Sequence, residues 1–228
     1  MSDMLVIVPV LRRPHVVIPF WETWKSQTVD CDIVMAIDEN DPTLDEYLEV
    51  IPQTGISLRI GEPLWTAPKL NQVVAENVDK YSYIGFWGDD NRPRTYGWDQ
   101  RFRAELERMG TGMVYANDLL QYGKIPCSVV MTSDIPRTLG YMAFPGAKHL
   151  FIDMAWRDWG RSIDRLCYLD DVVIEHLHHT IGKSDTDETY LLGNSAERNR
   201  NDRAAYYRYK RSTLKLDIRK LEGLVSGS

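Results

Sequence analysis

Cysteine is scarce in this chain. Cys31, Cys127 and Cys167 are the only three in 228 residues, and they are far apart, odd in number and without a CxxC pair. That excludes a disulfide framework or a zinc ribbon and fits a reducing compartment, so a cytoplasmic location is expected. Long apolar runs are missing as well. None approaches the ~18 residues of a membrane span, and the short apolar run near the start follows no basic region, so it reads as a first strand rather than a signal peptide. The glycine-rich phosphate cradles are also absent. No GxGxxG follows a strand and no GxxxxGKS/T occurs, which weakens a dinucleotide-binding or NTPase reading. The first apolar run leads into Leu11-Arg12-Arg13-Pro14 with no glycine at all. That counts against nucleotidyl transfer of the pyrophosphorylase kind. Repeats and low-complexity linkers are lacking too.

What is present is an ordinary core-forming composition, 43% hydrophobic and 26% charged, in a chain long enough for one large domain with an appendage. The net charge of -6 is unevenly spread. Residues 197–222 carry nine Lys/Arg against four Asp/Glu, a local +5, which leaves the rest of the chain at -11. Seven Trp and twelve Tyr supply core volume and also platforms for sugar rings and bases.

Taken in order, residues 4–10, 31–37, 56–60 and 83–87 read as buried strands. Helix-like segments at 15–27, 43–51 (capped by Thr43) and 67–78 separate them. A helix at 97–109, strands at 112–116 and 125–131, a short helix before Gly140, a helix at 153–163 and a strand at 168–177 follow. This alternation is the signature of an α/β fold with a mostly parallel sheet flanked by helices. Ligands collect at the carboxyl ends of strands in such sheets. Three of those ends are polar: Arg12-Arg13, Asp38-Glu39-Asn40 and Asp89-Asp90-Asn91.

The stretch Gly88-Asp89-Asp90-Asn91 follows an aromatic strand. It reads either as a polar turn with Asx chemistry or as a site for a hard divalent cation. Farther on, His176 and His178 stand at i and i+2 of a strand, so both rings share a face. They read either as hydrogen-bonded core histidines or as metal ligands. Imidazole with carboxylate suits Mn²⁺ better than Mg²⁺, and a metal bridging phosphate oxygens can replace a glycine-rich loop in holding a diphosphate.

With these motifs, residues 4–183 resemble a GT-A fold glycosyltransferase of the family-two-like type, a Rossmann-like domain. The resemblance implies a transferase moving a sugar from a nucleotide-diphosphate donor, foremost a UDP-sugar, to a hydroxyl acceptor, with Mn²⁺ or Mg²⁺ as cofactor. In that family the fourth strand ends in a D-x-D motif. Here glycine takes the first acidic place, which leaves Asp90 as the implied metal ligand and Asp89 as a partner of ribose or donor sugar. Pro9 and Arg13 match residues that frame the nucleotide, Asp38 matches the acid at the base, and Lys69 and Asn71 lie on the helix before the D-x-D strand. His178 (with His176 as the alternative ligand), Gly182 and Lys183 resemble a late metal-and-diphosphate group. Asp153, at a helix N-terminus, matches the base of an inverting enzyme, with Asp158 behind it. The helix terminus is expected to lower its pKa.

The resemblance divides the chain into a GT-A-like domain at 1–187 and a basic helical extension with a flexible tail at 188–228. The acceptor is open: a glycan, a protein, or modified DNA as in some viral enzymes. A basic helix along a phosphate backbone would serve the last, while the plain alternative is a solvated helix. A further reading is a catalytically inactive sugar- or nucleic-acid-binding module. The extension's apolar face, Leu214, Ile218 and Leu221, is expected to pack on the domain or to form a homodimer. Trp156 and Trp159 are the aromatics best placed to stack on an acceptor.

Overall fold

The computed structural model describes residues 2–178, 182 and 188–227. Its first half is built as the apolar runs dictate. Strands β1 (Met4–Pro9), β2 (Asp32–Asp38), β3 (Ser57–Gly61) and β4 (Tyr83–Phe86) alternate with helices α1 (Val17–Gln27), α2 (Leu44–Val50) and α3 (Thr66–Asn77). The four strands pair in parallel in the order β3-β2-β1-β4, each connection crossing over through a helix as parallel pairing requires. Thr43 does not cap α2 with its side chain. Its hydroxyl bonds instead to Asp41 Oδ1 at 2.7 Å.

The second half departs from simple alternation. After β5 (Asn91–Pro93) and α4 (Trp98–Met109) come β6 (Met113–Asn117), β7 (Val129–Thr132), α5 (Asp134–Leu139), α6 (Ile152–Ser162) and β8 (Leu166–His176). The full order of the eight-stranded sheet is β3-β2-β1-β4-β7-β6-β8-β5. β7 runs antiparallel to β4 and β6, and β5 antiparallel to β8. The sheet is therefore mostly parallel in direction, with two reversed strands. The sequence pattern missed β5 because its three residues are Asn91-Arg92-Pro93, which look like a turn. All three are buried, and Arg92 is satisfied inside by the carbonyls of Asp89 and Asn91, both at 2.8 Å.

Helices cover both faces of the sheet. On one face α1, α2 and α4 enclose a cluster containing Trp24, Trp87, Trp98 and Phe102, with rings packed edge-on and tilted. On the other face α3, α5 and α6 share one apolar cluster with the C-terminal helices α8 (Ala196–Ser212) and α9 (Leu214–Ser226). Each large side chain buried there contributes roughly 1.5–3 kcal/mol. The apolar face expected to pack on the domain or on a second copy thus packs within the chain: Leu214 and Leu221 are buried in this cluster and Ile218 lies against it. Most of the basic residues on the opposite face are exposed.

Polar anchors fix the same helices. Trp159 donates to the Tyr209 hydroxyl, and the Tyr209 and Tyr141 hydroxyls both donate to the buried carboxylate of Asp217. Asp202, also buried, accepts the backbone N–H groups of His149 (3.0 Å) and Leu150 (2.8 Å). A buried N–H without a partner costs about 1–3 kcal/mol. Asp202→Ala is therefore expected to lower the unfolding free energy by about 2–4 kcal/mol, measured as a reduced urea midpoint with an unchanged slope.

Candidate functional site

Because β1, β2, β4 and β8 run the same way, their carboxyl ends open on one edge of the sheet, over a cavity of about 610 Å³. Pro9 enters it from the end of β1 and Arg13 from beyond it, Asp38 from β2, and Asp89 and Asp90 from beyond β4. His176 reaches it from the end of β8 and His178 from just past it, Lys69 from α3, and Asp153 from the start of α6. Residues far apart in sequence thus share one wall.

Local structure explains each position. The turn after β4 is closed by Asn91, whose Oδ1 accepts the Gly88 N–H at 2.6 Å. Residue 90 is then tied to β8, since the Leu177 N–H donates to the Asp90 carbonyl at 2.9 Å. This sets His176 Nε2 3.1 Å from Asp90 Oδ2. The His178 ring stands edge-on to His176 and to Tyr190 of α7 (Glu188–Gly193). Gly88, which opens the acidic stretch after β4, meets a steric limit: a Cβ there would lie 2.5 Å from Asp90 Oδ1.

The charges are organised in pairs. Arg13 Nη1 reaches Asp89 Oδ1 at 3.1 Å, and Lys69 Nζ reaches Asp38 Oδ1 at 2.8 Å, both pairs largely buried. Burial raises the Asp89 pKa to about 6, against the pull of Arg13. Asp90 moves the other way. Burial disfavours its carboxylate, but the hydrogen bond and charge of His176, with Arg13, outweigh it and hold the pKa low. His176 is correspondingly raised, since burial lowers it less than Asp90 lifts it.

Several expectations need correction. Asn71 does not line the cavity. Its Oδ1 accepts the N–H groups of Met142 and Ala143 and its Nδ2 donates to the Ala143 carbonyl, so it fastens the 141–150 segment to α3. Asp158 also lies elsewhere, bound to the Tyr206 hydroxyl at 2.6 Å and to Lys210 at 2.9 Å. Trp159 is fully buried beneath α8, whereas Trp156, equally buried, backs the cavity wall. Asp153 does stand in the first turn of α6, behind the N-cap Phe151 with its left-handed backbone, but its pKa is raised rather than lowered. Burial outweighs the Met154 N–H and Arg157 that favour its charged form. Lys183 lies outside the described residues.

The sequence pattern also passed over contributors. His149 lines the cavity with Nδ1 2.7 Å from the Thr66 hydroxyl. Trp65 lines it too, with the Arg198 guanidinium of α8 stacked 3.6 Å above its ring centroid. Asp118 and Cys127, in the 118–128 connection, bring ligand atoms within 4.8 Å of His176. None belongs to a periodic or motif-like pattern.

No protein-family model matches the chain, and no curated protein matches it. Among solved structures it is similar to TarS of S. aureus, with a TM-score of 0.59 and 11% identity over 76% of this chain. It spans 36% of the longer TarS chain and 59% of the 1-349 form crystallised with UDP. It is also similar to the mannosyltransferase PcManGT from Pyrobaculum calidifontis, crystallised with GDP-Man and Mn²⁺ (TM-score 0.61, 10% identity, 98% of this chain and 73% of that one). A third likeness is to a protein from Desulfovibrio desulfuricans provisionally named a nucleotide-diphospho-sugar transferase (TM-score 0.51, 12% identity, 100% and 98%). The chain therefore has a GT-A-like glycosyltransferase fold.

Gly88→Ala is expected to turn the Asp90 carboxylate away from His176. Because Asp90 supplies the largest contribution that raises the His176 pKa against burial, that pKa should fall, read from imidazole NMR shifts across a pH titration.

Proposed function

We propose that this chain is a metal-dependent glycosyltransferase that takes a nucleotide-diphosphate sugar, foremost a UDP-sugar, as donor and a hydroxyl group as acceptor. The observation that carries this reading is the convergence of Asp90, His178 and Asp153 on one cavity at the carboxyl edge of the sheet. Its volume of about 610 Å³ falls within the range of small-molecule sites. The UDP and GDP-Man bound to the similar structures agree with a nucleotide donor.

The residues fit a hard or borderline cation. Asp90 and His178 would hold it, and His176, hydrogen-bonded to Asp90 Oδ2, would fix the carboxylate's orientation as outer partners of metal ligands do. Gly88 leaves room for Asp90 Oδ1 to turn into the cavity. Such a cation supplies counter-charge to the diphosphate as the glycosidic bond weakens.

The chain's own groups do the rest. Arg13, braced by Asp89, adds positive charge beside the diphosphate. Asp38, held by Lys69, faces the nucleobase, with Pro9 beside it. Asp153 removes the acceptor proton, and its raised pKa brings it closer to the working pH of a general base. A solvent-poor wall of Trp156 and Phe151 strengthens these interactions by lowering the local dielectric.

Two measurements test the reading. A UDP-sugar with Mn²⁺ should raise the melting temperature, and Asp90→Ala and His178→Ala should abolish the metal-dependent part. Asp153→Asn should keep that shift and lose about 10²–10⁴ in turnover, measured as release of UDP. A donor shift indifferent to Mn²⁺ and to Asp90 would overturn the metal role.

A further inference from the structure

The wall formed by residues 118–128 carries a second constellation. Asp118, Cys127 and His176 each present a ligand atom, and the three atoms lie within 4.8 Å of one another. Asp118 is 2% exposed. Its Oδ1 accepts the N–H groups of Leu120 and Gln121 at 2.9 and 2.7 Å, while Oδ2 is buried and has no hydrogen bond of good geometry among the described residues. The His176 ring shows the same asymmetry: Nε2 meets Asp90, and Nδ1 is buried without a hydrogen-bond partner among the described residues. The Cys127 thiol is directed at Asp118, and burial together with that interaction raises its pKa, but the geometry is too poor to satisfy the carboxylate fully. Buried polar atoms left open cost about 1–3 kcal/mol each, and two of them converge beside a thiol.

We propose that Asp118, Cys127 and His176 Nδ1 form a site for a thiophilic divalent cation, Zn²⁺ by preference. Two anionic ligands and one neutral imidazole cancel the charge of a dication, the thiol proton leaving to solvent as the sulfur binds. Sulfur with imidazole and one carboxylate favours Zn²⁺ over Mg²⁺ or Mn²⁺. Bonds of about 2.0–2.3 Å in a tetrahedron set ligand atoms roughly 3.3–3.8 Å apart, so the three atoms, within 4.8 Å of one another, have at most about 1–1.5 Å to close. Asp90 becomes the outer carboxylate that receives the other imidazole N–H, the arrangement that orients metal-bound histidines. The cation would clip the far end of the 118–128 connection to the end of β8, where its near end is already tied by the His176 N–H to the Asp118 carbonyl at 3.1 Å. Leu120, Gln121 and Cys127 all line the cavity, so the clip would set the shape of that wall. This inference goes beyond the transferase reading and does not depend on it.

The test uses the full chain stripped of metal and titrated with Co²⁺, whose thiolate complexes give a near-ultraviolet charge-transfer band. A band that saturates at one Co²⁺ per chain and is displaced by Zn²⁺ is expected. Cys127→Ser should remove it, and a Cys31→Ser, Cys167→Ser double variant should keep it. Asp118→Asn, nearly the same shape, should weaken Co²⁺ binding more than about tenfold, which covers the case of a Cys127 variant that folds poorly. No band in the parent chain, or a band that survives Cys127→Ser, overturns the site. The Mn²⁺-dependent donor shift is read separately, so either result can fail without the other.

Discussion

The arrangement depends on a short piece of backbone pairing that ties position 90 to position 176. β5 is only three residues long, yet it aligns Asn91 with His176 and leaves the Leu177 N–H on the Asp90 carbonyl. A carboxylate and an imidazole eighty-six positions apart are thereby brought into hydrogen-bonding contact in a half-buried place. At such a site the effective dielectric is lower than in water, so each partner favours the charged form of the other. Weaken that pairing and the cavity loses the polar centre around which its other charges are set.

The remaining charges follow the same rule of paired burial. Arg13 with Asp89 and Lys69 with Asp38 each place a cation and an anion on the wall without leaving either bare. Buried pairs are poor sources of stability, and both line the cavity. Under the proposed function they would present charge and hydrogen-bonding groups already arranged, which spares the free energy of reorganising them at binding. The C-terminal helices belong to this scheme. Asp202 holds the 149–150 backbone, and Arg198 covers Trp65, so a segment that reads as a basic appendage braces the cavity from behind.

Gly88 shows how a residue that looks ordinary in sequence acquires a physical meaning. In space a side chain there would press on the Asp90 oxygen, and glycine leaves that carboxylate free to take its place beside His176. Glycine at position 88 and the pairing of Asp90 with a histidine belong to a single local solution.

The sequence by itself determined the apolar strands of the first half, the helices between them and the polar clusters at the strand ends, because period and burial are local properties of the chain. It also singled out Pro9, Arg13, Asp38, Lys69, Asp89, Asp90, Asp153, His176 and His178, all of which line the cavity. Only the tertiary structure decided that Asn71 binds backbone, that Asp153 is buried enough to have its pKa raised, and that Asp118 and Cys127 meet His176. Those outcomes turn on long-range events: a strand too short and polar to show a period, and a register jump between Ala116–Leu169 and Asn117–Val173 that re-aims the end of β8. Local spacing carries no record of which distant backbone will lie alongside. Burial and pairing, which set the chemistry of a side chain, are fixed only when it does.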